Sequence, residues 1–151
     1  KMILIVFGVI VFVWYGYVGA VKYKNWKWYQ GMKNEAANFE KEIADKKTKI
    51  AADTYGGKTP QETLDMFIAA VEKGDYELAS KYFVVERQDK WKDDLVSIAK
   101  DNKLNIFLNP LKEARNNIGE YSENKKIYLI NNPISVDLII YPSNLWKIDE
   151  I

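Results

Sequence analysis

The side chains that most often carry out chemistry in enzymes are scarce in this sequence of 151 residues. Cysteine and histidine are both absent. The sequence therefore offers no disulfide, no thiolate or imidazole zinc ligand, and no nucleophile paired with a histidine base. Of the 22 basic residues, only Arg87 and Arg115 are arginines. This composition predicts a protein that is not an enzyme and that uses no cofactor and no metal.

Arg87, Arg115 and Asp137 are the residues best suited to a ligand site. The planar guanidinium of arginine matches carboxylate and phosphate groups, so the two arginines indicate a possible anion site in a pocket of the folded domain. The alternative is a structural ion pair with a nearby acid, namely Glu86, Asp89 or Glu113. Asp137 interrupts an apolar segment, and it is either a buried general base or a solvent-facing strand residue.

The first thirty residues have the composition of a membrane segment. Met2–Val21 is a run of twenty residues without a charge, and a helix of that length rises about 30 Å, the thickness of a bilayer core. A secretory signal has a shorter apolar core and small residues before its cleavage site. Residues 1–28 are therefore predicted to form an uncleaved transmembrane helix with an aromatic and basic fringe. The membrane-interface residues are Trp14, Tyr15, Tyr17, Lys22, Tyr23, Lys24, Trp26, Lys27, Trp28 and Tyr29.

Two further properties of this segment concern its orientation and its neighbours. Lys1 precedes the apolar run, whereas several lysines follow it, which taken alone places the large domain in the cytoplasm. A short N-terminus, a single span and one following domain instead favour an extracytoplasmic domain, at the cell surface or in the periplasm, and this is the orientation that we predict. Gly8, Gly16 and Ala20 supply small side chains that favour self-association of the helix.

Residues 29–58 are predicted to form an amphipathic stalk helix followed by a glycine hinge. Apolar side chains recur at heptad-like spacing, with an interruption at Lys46. The stalk-packing residues are Met32, Ala36, Phe39, Ile43 and Ile50. Such a helix is either a solvated spacer or packs against a copy of itself or a partner. The segment "DTYGGKT" then ends the helix and is typical of a hinge.

Residues 59–151 begin with a strong helix signal. Thr59 is the predicted N-cap, Pro60 takes the first helical position and Glu62 completes a capping box. Gly74 ends this helix, and Asp75 caps the next one. The second and third helices are predicted at Tyr76–Phe83 and Asp89–Lys100, and "DNKLNIFLNP" breaks or bends the third.

After Pro110 the apolar pattern changes to a period of two, which is typical of strands. Four strands are predicted, and in the third of them Ile134, Val136, Leu138 and Ile140 share one face. The short turns between the strands indicate an antiparallel meander, so helices come first and a sheet follows, which defines an α+β fold. The predicted strands are 112–121, Lys126–Ile130, Ile134–Tyr141 and Leu145–Ile151.

This domain resembles the NTF2-like superfamily, a cystatin-like cone that SnoaL-type and lumazine-binding-like domains share. The resemblance rests on the Pro-x-Glu start of "TPQETLDMFIAAVEKGDYELASKYF", on its "GDYELA" second helix and on the closing "LWKIDEI". It implies three helices packed on a curved antiparallel sheet of about four strands, often with a pocket inside the cone. The histidine of the Asp–His catalytic members has no counterpart here, so the resemblance implies binding rather than catalysis.

The whole chain also resembles the type IV pilin plan, in which a long helix precedes a small α+β head. Its lack of an initiator methionine is compatible with cleavage of a leader. We predict a membrane-anchored, non-catalytic protein that acts through protein binding or assembly. A pilin-like filament subunit is the alternative, and a cone pocket for a small ligand is the third option. The expected partners are the lipid bilayer or neighbouring copies, together with a protein partner or homo-oligomer. A net charge of +1 gives no field that would attract nucleic acid.

Overall fold

The computed structural model describes the backbone of residues 2–151 and the side chains of residues 12–151. Helix α1 is a single continuous helix, Met2–Ala52. The chain divides into two compact units, one that ends at Lys46 and one that runs from Lys47 to Ile151. The second unit, which we call the head, therefore begins within α1 and includes its last residues.

The head has helices first and a sheet afterwards, which confirms the predicted α+β class. The four strands form a sheet in the order β1-β2-β3-β4, and every neighbouring pair is antiparallel. A 3-10 turn, Val85–Arg87, separates α3 from α4. The remaining elements are α2 Pro60–Glu72, α3 Tyr76–Lys81, α4 Gln88–Lys100, α5 Leu104–Ala114, β1 Glu120–Tyr121, β2 Ile127–Ile130, β3 Val136–Ile140 and β4 Trp146–Glu150.

The ends of α2 and α3 form as their local sequence predicts. The hydroxyl of Thr59 accepts a hydrogen bond from the Glu62 N–H at 3.1 Å, and Pro60 begins the helix. The Glu62 carboxylate accepts from the N–H of Lys58 at 2.7 Å, one residue before the N-cap. Gly74 ends α2 with a φ of +74°, a left-handed conformation that glycine adopts without strain. The Asp75 carboxylate then accepts from the first turn of α3.

The prediction of a strand at 112–121 is wrong for residues 112–114, because these belong to helix α5, Leu104–Ala114. Leu104, Leu108 and Leu111 recur at helical spacing, and the last two are buried in the core. Pro110 lies inside this helix instead of ending it. Only Glu120–Tyr121 forms a strand in that range. The other three predicted strands are confirmed to within two residues at each end.

The core of the head lies between α2 and one face of the sheet. Val136 and Leu138 are fully buried on that face, and Ile134 and Ile140 pack beside them, as the alternation predicted. Aromatic rings join the helices, with Phe67 edge-on to Phe83 at 5.3 Å between ring centroids. Buried side chains from both layers fill this interior. They include Leu64, Phe67, Ile68, Val71, Tyr128, Ile130, Val136, Leu138, Trp146 and Ile148.

Candidate functional site

Each of the two arginines lies in an ion pair that spans a long sequence separation. The Arg87 Nε lies 3.2 Å from the Asp149 Oδ1, and its guanidinium also contacts the Glu150 carboxylate. The guanidinium of Arg115 lies 3.3 Å from the Asp65 Oδ1. These acids are on β4 and on α2, rather than on the neighbouring segments that the sequence suggested. The arginines therefore link elements of the head, and a surface ion pair of this kind contributes little to stability.

Asp137 lies on β3 and is half-buried. Its Oδ1 is 3.4 Å from the Ser135 hydroxyl, and the ladder with β4 shifts register between Asp137 and Leu138. The carboxylate therefore lies on the face of β3 opposite the core, beside an irregularity that edge pairs of strands tolerate well. Among residues 12–151, no group of three or more acidic side chains is placed to hold a metal ion.

The most unusual polar group of the head is the ammonium of Lys147, which the sequence analysis did not single out. This side chain is on β4, between the core residues Trp146 and Ile148, and its exposed fraction is 0%. Alternation along the strand places it on the face of the sheet opposite those two neighbours. A fully buried lysine is rare in proteins and requires a compensating partner.

Three acceptors surround the Lys147 Nζ and satisfy its three N–H donors. The Asp53 Oδ2 lies at 2.8 Å, the carbonyl oxygen of Tyr55 at 3.1 Å, and the carbonyl oxygen of Lys81 also accepts. The ring of Tyr141 lies beneath the ammonium, with its centroid 5.6 Å from Nζ. Each N–H of the ammonium therefore has an acceptor within the protein.

The Asp53 side chain is 5% exposed, and its carboxylate accepts hydrogen bonds from two donors besides Lys147. The Gln88 amide donates to its Oδ2 at 3.1 Å, and the N–H of Tyr55 donates to its Oδ1 at 2.9 Å. Gln88 also donates to the Phe83 carbonyl at 3.1 Å. The ion pair is therefore one part of a polar network that connects the residue after α1 to β4 and to the start of α4.

Burial changes the acidity of two groups in this network. Burial lowers the pKa of Lys147 from its usual value, and the adjacent Asp53 carboxylate opposes this shift. Burial also raises the pKa of Tyr141 to about 12, although the Val85 N–H donates to its hydroxyl at 2.9 Å. The Tyr141 phenol therefore keeps its proton at neutral pH.

An open cleft of about 510 Å³ borders the ion pair. Asp53, Tyr55, Lys81 and Gln88 contribute to its wall, while the Lys147 side chain lies behind them. The interior between α2 and the sheet is filled by side chains of the core.

The segment "DTYGGKT", which the sequence favours as a hinge, is held against the head at both glycines. A Cβ on Gly56 would meet the carbonyl oxygen of Trp146, and one on Gly57 would lie 2.6 Å from the Thr63 backbone nitrogen. The Trp146 N–H donates to the Gly57 carbonyl at 2.9 Å. The glycines permit this close approach of two backbones.

The side chains of α1 that the sequence assigned to a membrane interface are exposed. Trp14, Tyr15, Tyr17 and Tyr29 each have more than half of their side-chain surface accessible, and Phe12 is 82% exposed. The stalk-packing residues Met32, Phe39 and Ile43 are exposed on the same helix as well, and Ile50 is half-buried. Gly16 and Ala20 are exposed, whereas Lys1 and the side chains of residues 2–11, Gly8 among them, lie outside the described part.

No helix within residues 12–151 has a stretch that is both long and apolar enough to cross a membrane. Comparison with known proteins gives no match, whether with family models, with curated proteins or with solved structures.

Proposed function

We propose that this chain is a single-pass membrane protein that displays its head outside the cytoplasm and acts through protein binding or assembly. In this proposal Met2–Val21 spans the bilayer and the aromatic and lysine residues up to Tyr29 lie at its surface. The proposal depends on one observation above the others, namely the exposure of the aromatic side chains of α1 between residues 12 and 29.

The arrangement of these rings around α1 favours a crossing helix over one that lies flat on a membrane. Successive residues of an α-helix are rotated by about 100°. Measured from Trp14, Trp26 lies about 120° around the axis, Tyr23 about 180° and Tyr17 about 300°. A helix that lies in the membrane surface has its apolar residues on one side only. Rings on all sides are typical of a helix that passes through the interface, where aromatic residues concentrate.

A pilin-like filament subunit is the second candidate, and the continuity of α1 favours it. Met2–Ala52 is one helix with an apolar first half and an amphipathic second half, followed by an α+β head. We also propose that the head is NTF2-like, which its order of helices before an antiparallel sheet supports. The binding of a protein partner would then involve the surface of the head or the exposed stalk.

Membrane insertion is tested by fractionating cells that express the full chain. We expect the wild type to stay in the membrane pellet after alkaline carbonate extraction. Replacing both Phe12 and Val13 by aspartate should release it, because two acidic side chains near the centre of a span oppose insertion by about 5–7 kcal/mol. Ala37→Asp on the stalk is the matched control and should remain in the pellet. A wild-type chain recovered in the soluble fraction as a monomer would refute the proposal.

The orientation and the assembly state are tested with single cysteines, since the chain contains none of its own. Lys41 is exposed on the stalk. If the head lies outside the cytoplasm, a membrane-impermeant maleimide should label the cysteine of Lys41→Cys in intact cells. Labelling only after lysis would show a cytoplasmic domain. Detergent extraction followed by sedimentation separates the two candidates, because a filament subunit pellets as fibres and an anchored protein extracts as a discrete particle.

A further inference from the structure

The five residues 53–57 that follow α1 form a strap that contacts β4 along its length. At one end, Asp53 and the carbonyl of Tyr55 accept from the Lys147 ammonium. At the other end, Gly57 pairs with Trp146, and its N–H donates to the Thr63 hydroxyl at 2.9 Å. The hydroxyl of Thr63 itself donates to the Trp146 carbonyl at 3.0 Å.

The attachment of the strap is polar and depends little on apolar burial. The side chain of Tyr55 is 43% exposed, Thr54 is exposed, and no residue of the strap belongs to the hydrophobic core. Hydrogen bonds from the Lys147 ammonium and the Gln88 amide therefore hold the first half of the strap. Segments with few buried apolar contacts are those that open locally while the rest of a domain stays folded.

The chemistry of the ion pair disfavours a partial release of the first half of the strap, Asp53 to Tyr55. While the strap is docked, each N–H of the Lys147 ammonium has an acceptor. A partly docked strap would leave a buried charge without its partner, which is strongly unfavourable. When the whole strap leaves, water reaches the ammonium and replaces the lost acceptors. The intermediate positions are thus disfavoured relative to the two end states.

We propose that the strap is a latch, which the Asp53–Lys147 pair closes and which opens as a unit while the sheet and helices α2–α5 stay folded. Closing fixes residues 53–57 to β4, and opening frees them. The latch is a property of the head alone and does not depend on the proposed membrane function. It gives the segment that follows α1 a docked state and a free state.

The test measures opening in the full chain, purified in a neutral detergent, at increasing urea concentrations below the unfolding transition. Native-state hydrogen exchange follows the N–H groups of Gly57 and Trp146, which bond between the strap and the rest of the head, and pulsed acetylation with mass spectrometry follows Lys147. We expect all three to become accessible at urea concentrations at which the amides of β2 and β3 remain protected. The latch is overturned if the strap, Lys147 and the sheet become accessible together, because opening then requires global unfolding.

Variants make the same test independent of urea. Asp53→Asn should raise the acetylation rate of Lys147 by at least about tenfold while the protection of β2 and β3 is kept. The matched control is Asp101→Asn, which removes the partner of Lys103, an exposed lysine 3.0 Å from that carboxylate. The control should change the acetylation of Lys103 by less than about twofold, as expected for a surface pair. An unchanged rate at Lys147 in Asp53→Asn would refute the latch, and the urea series on the wild type decides the matter if that variant does not fold.

Discussion

Replacing either member of the buried ion pair should destabilise the head, and the two single changes should differ in size. While the strap is docked, Asp53→Asn leaves the ammonium of Lys147 enclosed, with only neutral acceptors and no counter-charge. Lys147→Met leaves the Asp53 carboxylate, which still accepts from the Gln88 amide and from the Tyr55 N–H. Asp53 also borders the open cleft, where water can solvate it.

The magnitudes follow from these remaining partners. Removing one partner of a buried pair lowers the free energy of unfolding by about 3–5 kcal/mol when the other charge is left without compensation, and this is the expected loss for Asp53→Asn. Lys147→Met should lose only about 1–3 kcal/mol, because Asp53 keeps two hydrogen bonds. The double variant removes both charges, so we expect it to be more stable than Asp53→Asn alone, with a coupling energy of about 2–3 kcal/mol.

Urea unfolding of the full chain in a neutral detergent measures these losses. Near-ultraviolet circular dichroism reports on the packed rings of the head, such as Phe83, Trp91 and Trp146, because the aromatic side chains of α1 between residues 12 and 39 are exposed. At a slope of about 1–3 kcal/mol per molar urea, the Asp53→Asn midpoint should fall by about 2 M. Two results would contradict this coupling between Asp53 and Lys147. One is an equal loss of unfolding free energy in the two single variants, and the other is a double variant whose loss equals the sum of the single losses.

Three further predictions concern groups outside the pair. Tyr141 has a pKa raised to about 12, so above about pH 10 the folded state keeps the proton that the unfolded state loses. The free energy of unfolding of the wild type should therefore fall by about 2–3 kcal/mol between about pH 10 and 12. Measured by urea unfolding, the stability difference between wild type and Tyr141→Phe should narrow or reverse over that range, and a pH-independent difference would contradict this. Thr59→Ala removes the cap of α2 and should lower stability by about 1 kcal/mol, whereas Thr59→Ser, which keeps the hydroxyl, should not. Gly57→Ala should lower the thermal midpoint of the head, since its Cβ would lie 2.6 Å from the Thr63 nitrogen, whereas Gly31→Ala, with open space around it, should leave the midpoint unchanged.

Some elements of this protein follow from residues close together in the sequence. The cap at Thr59, the left-handed Gly74 and the cap at Asp75 each involve partners within five residues, so a local pattern specifies them. The third strand follows from alternation, because Val136 and Leu138 need one buried face. The length of α1 likewise follows from a helical pattern that no proline interrupts before "DTYGGKT".

The helix α5 shows where local patterns become ambiguous. Leu108 and Leu111 satisfy a helical spacing, but Pro110 between them is a residue that usually ends helices, and the sequence analysis assigned the following residues to a strand. Burial of both leucines against the core outweighs the hydrogen bond that proline cannot donate. Tertiary contacts therefore decided this element, as they often do when propensity is weak.

The sequence by itself determined the fold class and the apolar, aromatic character of the first helix, since these depend on composition and periodicity. Only the tertiary structure decided the partners of the charged residues. Lys147 reaches Asp53 across a separation of 94 residues, and Arg87 pairs with acids on β4. In the alternating pattern of "LWKIDEI" Lys147 looks like a solvent-facing residue. It is buried because the strap and the C-terminal end of α3 at Lys81 cover that face of the sheet. No local pattern specifies which distant segment lies over a strand.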